Sequence, residues 1–281
     1  MKRILITARN SYVGSNFADW TKEKYEIEFI TCRNNDWKTL DFSKFDSILH
    51  VAGIAHVSTK RNMEEEYYKV NRDLTIDLAE KAKREGVKQF IFMSSIIVYG
   101  TPKDITGKGV INKNTSLKPD NFYGKSKLQA EEGLKKIESD IFKVVVIRPP
   151  MIYGKDSKGN YPKLIQLAKL TPIFPDYANQ RSMLHIDNLS EFISWVIENE
   201  ESGTFFPQND EYVNTSELIK LIAKSYGKKV KFIKYFNPLV NFLVRKNVTF
   251  NKVFGNLTYE KEMSIYHENY NIKNFEESIS D

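Results

Sequence analysis

The strongest constraint on this chain is an alternation. Short apolar runs are followed by stretches of helical periodicity, from the first residues to about position 150. Ile4-Leu5-Ile6 reads as a buried strand, and a turn containing Ser, Asn and Gly leads into a helix from about Gly14 to Lys22. Glu26 to Ile30 alternates polar and apolar residues as a second strand, and Phe45 to Ala52 forms a third. Glu64 to Glu85 is a long helix stopped by Gly86. Lys88 to Met93 is a fourth strand, Tyr123 to Ile137 a helix, and Lys143 to Ile147 a fifth strand, β-branched at its centre. Strands separated by helices run parallel, so the fold class is α/β with a doubly wound parallel sheet. Near-continuous apolar strands fit a sheet covered on both faces.

With 281 residues, 41% of them apolar, the chain can bury a substantial core. The net charge is +6, and basic residues read as interleaved with acidic ones: Lys60-Arg61 is soon followed by Glu64-Glu65-Glu66. A nucleic-acid binder gathers its charge on one stripe, so an anionic small molecule is the expected partner and nucleic acid is not. The lone Cys32 allows no intrachain disulfide and no cysteine metal cluster, which fits a reducing cytoplasm without a metal site. The N-terminal apolar run is too short for a signal peptide, and Phe236 to Val244 is broken by Asn237, Pro238 and Asn241, so no membrane insertion is expected.

In a doubly wound sheet the turn after the first strand is where a dinucleotide pyrophosphate sits. Here it runs Thr7-Ala8-Arg9-Asn10-Ser11-Tyr12-Val13-Gly14. Gly14 permits close helix–strand packing, while Ala8 and Ser11 stand where two further glycines would ease the turn. An acid that would bind an adenosine ribose is missing after the second strand, which continues Thr31-Cys32-Arg33-Asn34. Arg33, assisted by Arg9, suits a 2′-phosphate, although both also read as surface arginines. This favours NADP(H), with NAD(H) as the alternative, and makes Asp36 a candidate for adenine contact.

Tyr123-Gly124-Lys125-Ser126-Lys127 opens the fourth-strand-to-fifth-strand helix. Four residues apart, Tyr123 and Lys127 share a helical face. A neighbouring ammonium lowers a phenol's pKa, so Tyr123 is expected to exchange a proton near neutral pH. Ser95, in Ser94-Ser95-Ile96-Ile97-Val98-Tyr99-Gly100, lies at the tip of the fourth strand, where it can hydrogen-bond a reacting oxygen.

These stretches, together with His50-Val51-Ala52-Gly53-Ile54-Ala55-His56, Val70-Asn71, Arg148-Pro149-Pro150 and Arg181-Ser182-Met183-Leu184-His185-Ile186-Asp187, resemble the extended short-chain dehydrogenase/reductases of the NAD-dependent epimerase/dehydratase family. The resemblance covers about two-thirds of the chain. It implies an NAD(P)-binding Rossmann domain over 1–150 and a substrate-binding lobe over 151–281, partly interleaved with the sheet. It implies a catalytic Ser95, Tyr123 and Lys127. Cofactor contacts are implied for Thr7, Arg9, Asn10, Ser11, Tyr12, Val13, Arg33, Asp36, Ala52, Gly53, Ile54, Asn71, Met93, Tyr123, Lys127 and Pro149. It also implies a nucleotide-diphosphate sugar, UDP-linked by preference, touched by His56, Ser95, Asn160, Phe174 and Arg181. Arg181 would grip the diphosphate and Phe174 would stack near the base. A homodimer through the helices near 64–85 and 123–137 is the family expectation.

The Asp-Glu pair typical of the family's dehydratases is replaced by Ile96-Ile97 after Ser95, which disfavours dehydration. A compact second-to-third-strand segment resembles the sugar ketoreductases. The expected reaction is NADPH-dependent reduction of a UDP-linked 4-keto, 6-deoxy, N-acetylamino hexose. The alternatives are an NAD-dependent UDP-sugar 4-epimerase and, from another class, a non-catalytic NADP-binding sensor or scaffold.

Overall fold

The computed structural model describes residues 1–54, 63–100, 109–266 and 269–280. They form two compact units: residues 1–101, 116–149 and 189–207 make the first, and residues 102–115, 150–188 and 208–281 the second.

The first unit contains β1 (Lys2–Thr7), α1 (Tyr12–Trp20), β2 (Tyr25–Ile30), β3 (Ser47–His50), α2 (Glu64–Tyr68), α3 (Leu74–Arg84), β4 (Gln89–Met93), α4 (Phe122–Ile137), β5 (Lys143–Ile147), α5 (Ile186–Glu198) and β6 (Gly203–Phe205). The six strands are all parallel, in the order β6-β5-β4-β3-β1-β2. The chain steps outward from β1 to β2, then returns to place β3 on the other side of β1. That reversal opens a crevice at the strands' carboxyl ends, where this architecture binds ligands.

The chain between β2 and β3 has no α-helix. A short 3₁₀ turn over Asp36–Lys38 stands there instead, and Trp37, Phe42 and Phe45 bury themselves against Leu5, Ile48, Phe90 and Val144. Three aromatic side chains thus cover the sheet face that a crossover helix would otherwise cover. The long helix expected over Glu64 to Glu85 is interrupted: a π-helical turn at Lys69–Asp73 joins α2 to α3. Gly86, at φ 85°, ends α3 as expected of a left-handed stop.

The second unit holds three short parallel strand pairs: Met151–Tyr153 with Met183–His185, Ile173–Pro175 with Lys231–Ile233, and Val110–Ile111 with Thr258–Tyr259. Helices Tyr161–Leu170 and Thr215–Ser225 pack beside one another, and helix Asn237–Lys246 sends Val240 and Val244 into the same apolar cluster.

Ala8 carries the one strained backbone of the first turn. Its φ is 67°, a left-handed conformation that costs a residue with a Cβ about 1–2 kcal/mol. Its amide donates to the Ile30 carbonyl at 2.8 Å and its carbonyl accepts from the Ser11 amide at 2.9 Å, so neighbouring bonds hold it there. Ala8→Gly should therefore raise the folding stability by up to about 1 kcal/mol, after the unfolded glycine's extra freedom is counted. Urea unfolding checks this, and a loss of stability would show that the turn is not strained at Ala8.

Candidate active site

The site is assembled from the tips of β1, β3 and β4 and the first turn of α4. Ser11 caps α1 by accepting the Gly14 amide at 3.3 Å. A Cβ on Gly14 would lie 2.9 Å from Ile6 Cγ2 and 3.2 Å from Val51 Cγ2, so α1 can sit this close to the sheet only with glycine here. Arg9 and Asn10 are exposed, while Tyr12 and Val13 are half-buried. Arg33 is exposed after β2, as is Asp36, whose carboxylate accepts the Asn34 side-chain amide.

Thr7, expected to contact a cofactor, is wholly buried and turned inward. Its Oγ1 accepts the amides of Val51 at 3.0 Å and Ala52 at 2.9 Å, locking the tip of β1 to the chain leaving β3. With both acceptor sites used, its hydroxyl proton goes to His50 Nδ1 at 3.0 Å. His50 Nε2–H then donates to Thr75 Oγ1 at 2.9 Å, and Thr75 donates to the Asn71 carbonyl at 2.8 Å. Only a neutral imidazole fits this relay. Burial, and then the nearby Lys127 charge, push the His50 pKa down to about 3.

Asn71 lies in the π-helical turn with no solvent exposure. Its Oδ1 accepts the Ile54 amide at 2.8 Å, and its Nδ2 donates to the Ile54 carbonyl and to Ser126 Oγ, both at 3.1 Å. It therefore clamps the Ala52–Ile54 segment to α4. Gly53 is needed for this passage: a Cβ there would stand 2.9 Å from Asn71 Oδ1 and 3.4 Å from Lys127 Nζ. The left-handed first turn, the Gly14 and Gly53 clearances and the exposed Arg33 beyond β2 fit a dinucleotide laid across these strand tips.

Asn121 caps α4 by accepting the Gly124 amide at 2.9 Å, which sets Tyr123 and Lys127 in the first two turns. Ser95 accepts the Ile97 amide at 3.3 Å, leaving its hydroxyl proton for the Tyr123 phenol. Lys127 is buried; its Nζ donates to the Met93 carbonyl at 2.7 Å and lies 4.5 Å above the Phe92 ring. Burial lowers its pKa to about 7, against the raising effect of Glu131. The expectation that this amine acidifies Tyr123 fails in the free chain. Burial raises the phenol to about 12, the Ser95 hydrogen bond works in the lowering direction, and Tyr67 raises it further. Burial outweighs the lowering contribution, so Tyr123 keeps its proton at neutral pH. Met93 and Pro149 serve through their carbonyls, Pro149 accepting the Ile96 amide at 2.9 Å.

Behind Lys127 lies a group that motif reading missed. Glu131 receives Arg148 Nη2 at 2.6 Å and also the Ser94 hydroxyl, while Arg148 Nη1 donates to the Tyr99 hydroxyl at 2.9 Å. The signal was available: Glu131 is four residues beyond Lys127 on the same helical face.

In the second unit, Arg181 is half-buried and its Nη1 donates to the Gly255 carbonyl at 2.9 Å. Burial lowers its pKa to about 10, and no carboxylate pairs with it among the described residues. Asn160 is exposed at the start of helix Tyr161–Leu170 and makes no side-chain cap bond. Phe174 is not placed for stacking on a base. It is 3% exposed and wedged between Phe254, ring centroids 5.5 Å apart, and Phe232 at 6.2 Å. An apolar ring flanked by aromatics gains more from that core than from solvent. His56 lies outside the described residues. Among the described residues no cluster of His, Cys, Asp or Glu could hold a metal, and no helix is long and apolar enough to cross a membrane.

The chain belongs to the NAD dependent epimerase/dehydratase family, whose family model matches residues 4–207. It is 32% identical over 189 residues to a UDP-glucose 4-epimerase of Vibrio cholerae, covering 64% of this chain and 57% of that protein. It is also 32% identical over 183 residues to an N-acetyl-α-D-glucosaminyl-diphospho-ditrans,octacis-undecaprenol 4-epimerase of Escherichia coli, covering 62% of this chain and 53% of that one. The chain thus spans little more than half the length of these curated relatives. A crystal structure of a dTDP-4-dehydrorhamnose reductase from Clostridium acetobutylicum superposes with a TM-score of 0.74 at 19% identity, over 99% of this chain and 97% of that one, a likeness of fold.

The buried imidazole has a pH consequence. Folded His50 stays neutral down to about 3, whereas an unfolded histidine takes up its proton near 6.5. Between those values the unfolded chain binds the extra proton, so stability falls as pH drops through the window. Urea unfolding at pH 7 and pH 5 should show His50→Gln losing less stability on acidification than the parent. An equal loss in both would show that His50 is not held neutral.

Proposed function

We propose that this chain is an NAD(P)-dependent oxidoreductase acting on a nucleotide-diphosphate sugar, and that its reaction is reduction of a 4-keto sugar. The observation that carries this reading is the Ser95–Tyr123 hydrogen-bonded pair beside the buried Lys127, at the strand tips. Residues Arg9 to Val13, Ala52 to Ile54, Met93 and Pro149 would hold the dinucleotide. Asn71 would brace its cradle, Asp36 would meet the adenine, and Arg33 would meet a 2′-phosphate. Bound there, the nicotinamide supplies the hydride.

The protein's own part is proton handling. When the substrate binds, Ser95 would turn its hydroxyl proton from the Tyr123 phenol to the carbonyl oxygen, which then meets two hydroxyls. Tyr123, protonated at neutral pH, delivers its proton as that oxygen becomes an alkoxide, and the product is a secondary alcohol. Lys127, with its pKa lowered to about 7, can carry charge against the nicotinamide ribose and towards the phenolate left behind. In the second unit, the desolvated and acid-free Arg181 suits a sugar-nucleotide diphosphate, with Asn160 as an added donor. A UDP-linked 6-deoxy, N-acetylamino hexose is the substrate we favour. The missing acid after β2 and the helix-free β2-to-β3 segment support NADPH and the reductase.

The second reading is a UDP-sugar 4-epimerase, favoured by the 4-epimerase activities of the two 32% identical relatives. A sensor or scaffold is less well supported, because Ser95, Tyr123 and Lys127 are all present, with Lys127 buried and the Ser95–Tyr123 pair half-buried.

Tyr123→Phe should lower turnover of a UDP-4-keto sugar by about 10²–10⁴-fold while leaving NADPH binding intact. Retained turnover would refute the proton-donor role. The same purified protein decides between the two reactions: release of tightly held NAD⁺ would favour epimerisation, and an empty site that takes up NADPH favours reduction.

A further inference from the structure

The charge is less evenly spread than the opening of the chain suggests. Between positions 218 and 259 there are nine Lys or Arg residues and no Asp or Glu. Removing those nine from the chain's 42 leaves 33 against 36 acidic residues, so this one stretch carries the whole positive excess. It belongs entirely to the second unit.

Within it, the turn at Lys234–Phe236 and the helix Asn237–Lys246 present an apolar face outward. Val240 and Val244 point into the core. Tyr235 is 87% exposed, Leu239 56% and Phe242 58%, with Phe236 beside them at 39%. Positions 235, 239 and 242 are spaced as one stripe along a helix. The stripe is flanked by exposed Lys231 and Lys234 at one end and by exposed Arg245 and Lys246 at the other. Among the described residues only Asp176 comes within ion-pair distance of these four cations, 3.8 Å from Lys234.

We propose that this face docks on an anionic lipid bilayer, with the helix Asn237–Lys246 lying in the interfacial plane. Apolar and aromatic side chains projecting from a helix rimmed by lysine and arginine have the composition of such an element. Tyrosine favours the headgroup level, and cations are attracted to anionic lipid. The helix has ten residues, too few to cross a bilayer, so it lies on the surface. A second copy of the chain fits poorly: a two-fold contact would press the same cations against each other with no acid in the stretch to meet them. Docking here does not depend on the reaction proposed above.

The test is co-sedimentation of the full chain with phosphatidylcholine vesicles, with and without 30 mol% phosphatidylglycerol as the anionic lipid. At low salt, partitioning onto the anionic vesicles should exceed that onto neutral ones by about tenfold or more, and 0.5 M salt should largely release the protein. Leu239→Ser with Phe242→Ser, and separately Arg245→Gln with Lys246→Gln, should each cut the anionic-vesicle partitioning several-fold with unchanged circular dichroism. Absence of anionic-vesicle binding, or binding that neither double variant weakens, overturns the proposal. So does stronger retention of a single-stranded oligonucleotide than of vesicles. Light scattering that shows a dimer dissolved by the Leu239/Phe242 variant, without vesicle binding, would assign the face to a second copy and also overturn it.

Discussion

Burial of the Lys127 amine is the constraint around which the first unit is arranged. A lysine head removed from water needs a hydrogen-bond acceptor and a nearby negative charge. The Met93 carbonyl supplies the first, and Glu131 the second, one helical turn further on. Glu131 is itself buried, so it requires Arg148, and Arg148 in turn engages Tyr99. Space for the amine comes from the other side of the crevice, where Gly53 has no Cβ to meet it and Asn71 holds that segment by both backbone groups of Ile54. Asn71 itself stands in the π-helical turn. One residue more per turn sets its amide between the strand tip and Ser126 on α4.

The relay from Thr7 through His50 and Thr75 to Asn71 performs a second task with the same parts. It ties β1 to β3 at the point where the strand order reverses, with every proton accounted for. A charged His50 would break the relay and repel Lys127. The neutral imidazole therefore protects both the crevice and the amine's charge. The first turn reaches its shape by a costlier route, because Ala8 adopts a conformation that suits glycine.

Most of this frame was legible in the sequence because it depends on local signals. The apolar runs of β1, β3, β4 and β5, the alternation of β2, the Gly86 stop and the Tyr123–Lys127 spacing are each readable within a few neighbouring residues. Features that depend on distant partners were not. β6 has three residues and reaches its neighbour β5 only after a long excursion through the second unit. Phe174 looked available because nothing in its own segment announces Phe232 and Phe254. Acidification of the Tyr123 phenol is what the spacing suggests, since it shows that Lys127 is near but not that burial raises the phenol. The acid-free stretch from 218 to 259 was readable by counting and was obscured by the balanced charges earlier in the chain.

The central claim is that the Lys127 amine is buried enough to titrate near neutrality. Lysine labelled with ¹³C at the ε-carbon, followed by NMR through a pH series with Lys127→Met to assign the signal, measures this directly. The account predicts one lysine titrating near pH 7, well separated from the others and absent in the variant. A Lys127 signal that titrates with the exposed lysines near 10.4 would contradict it.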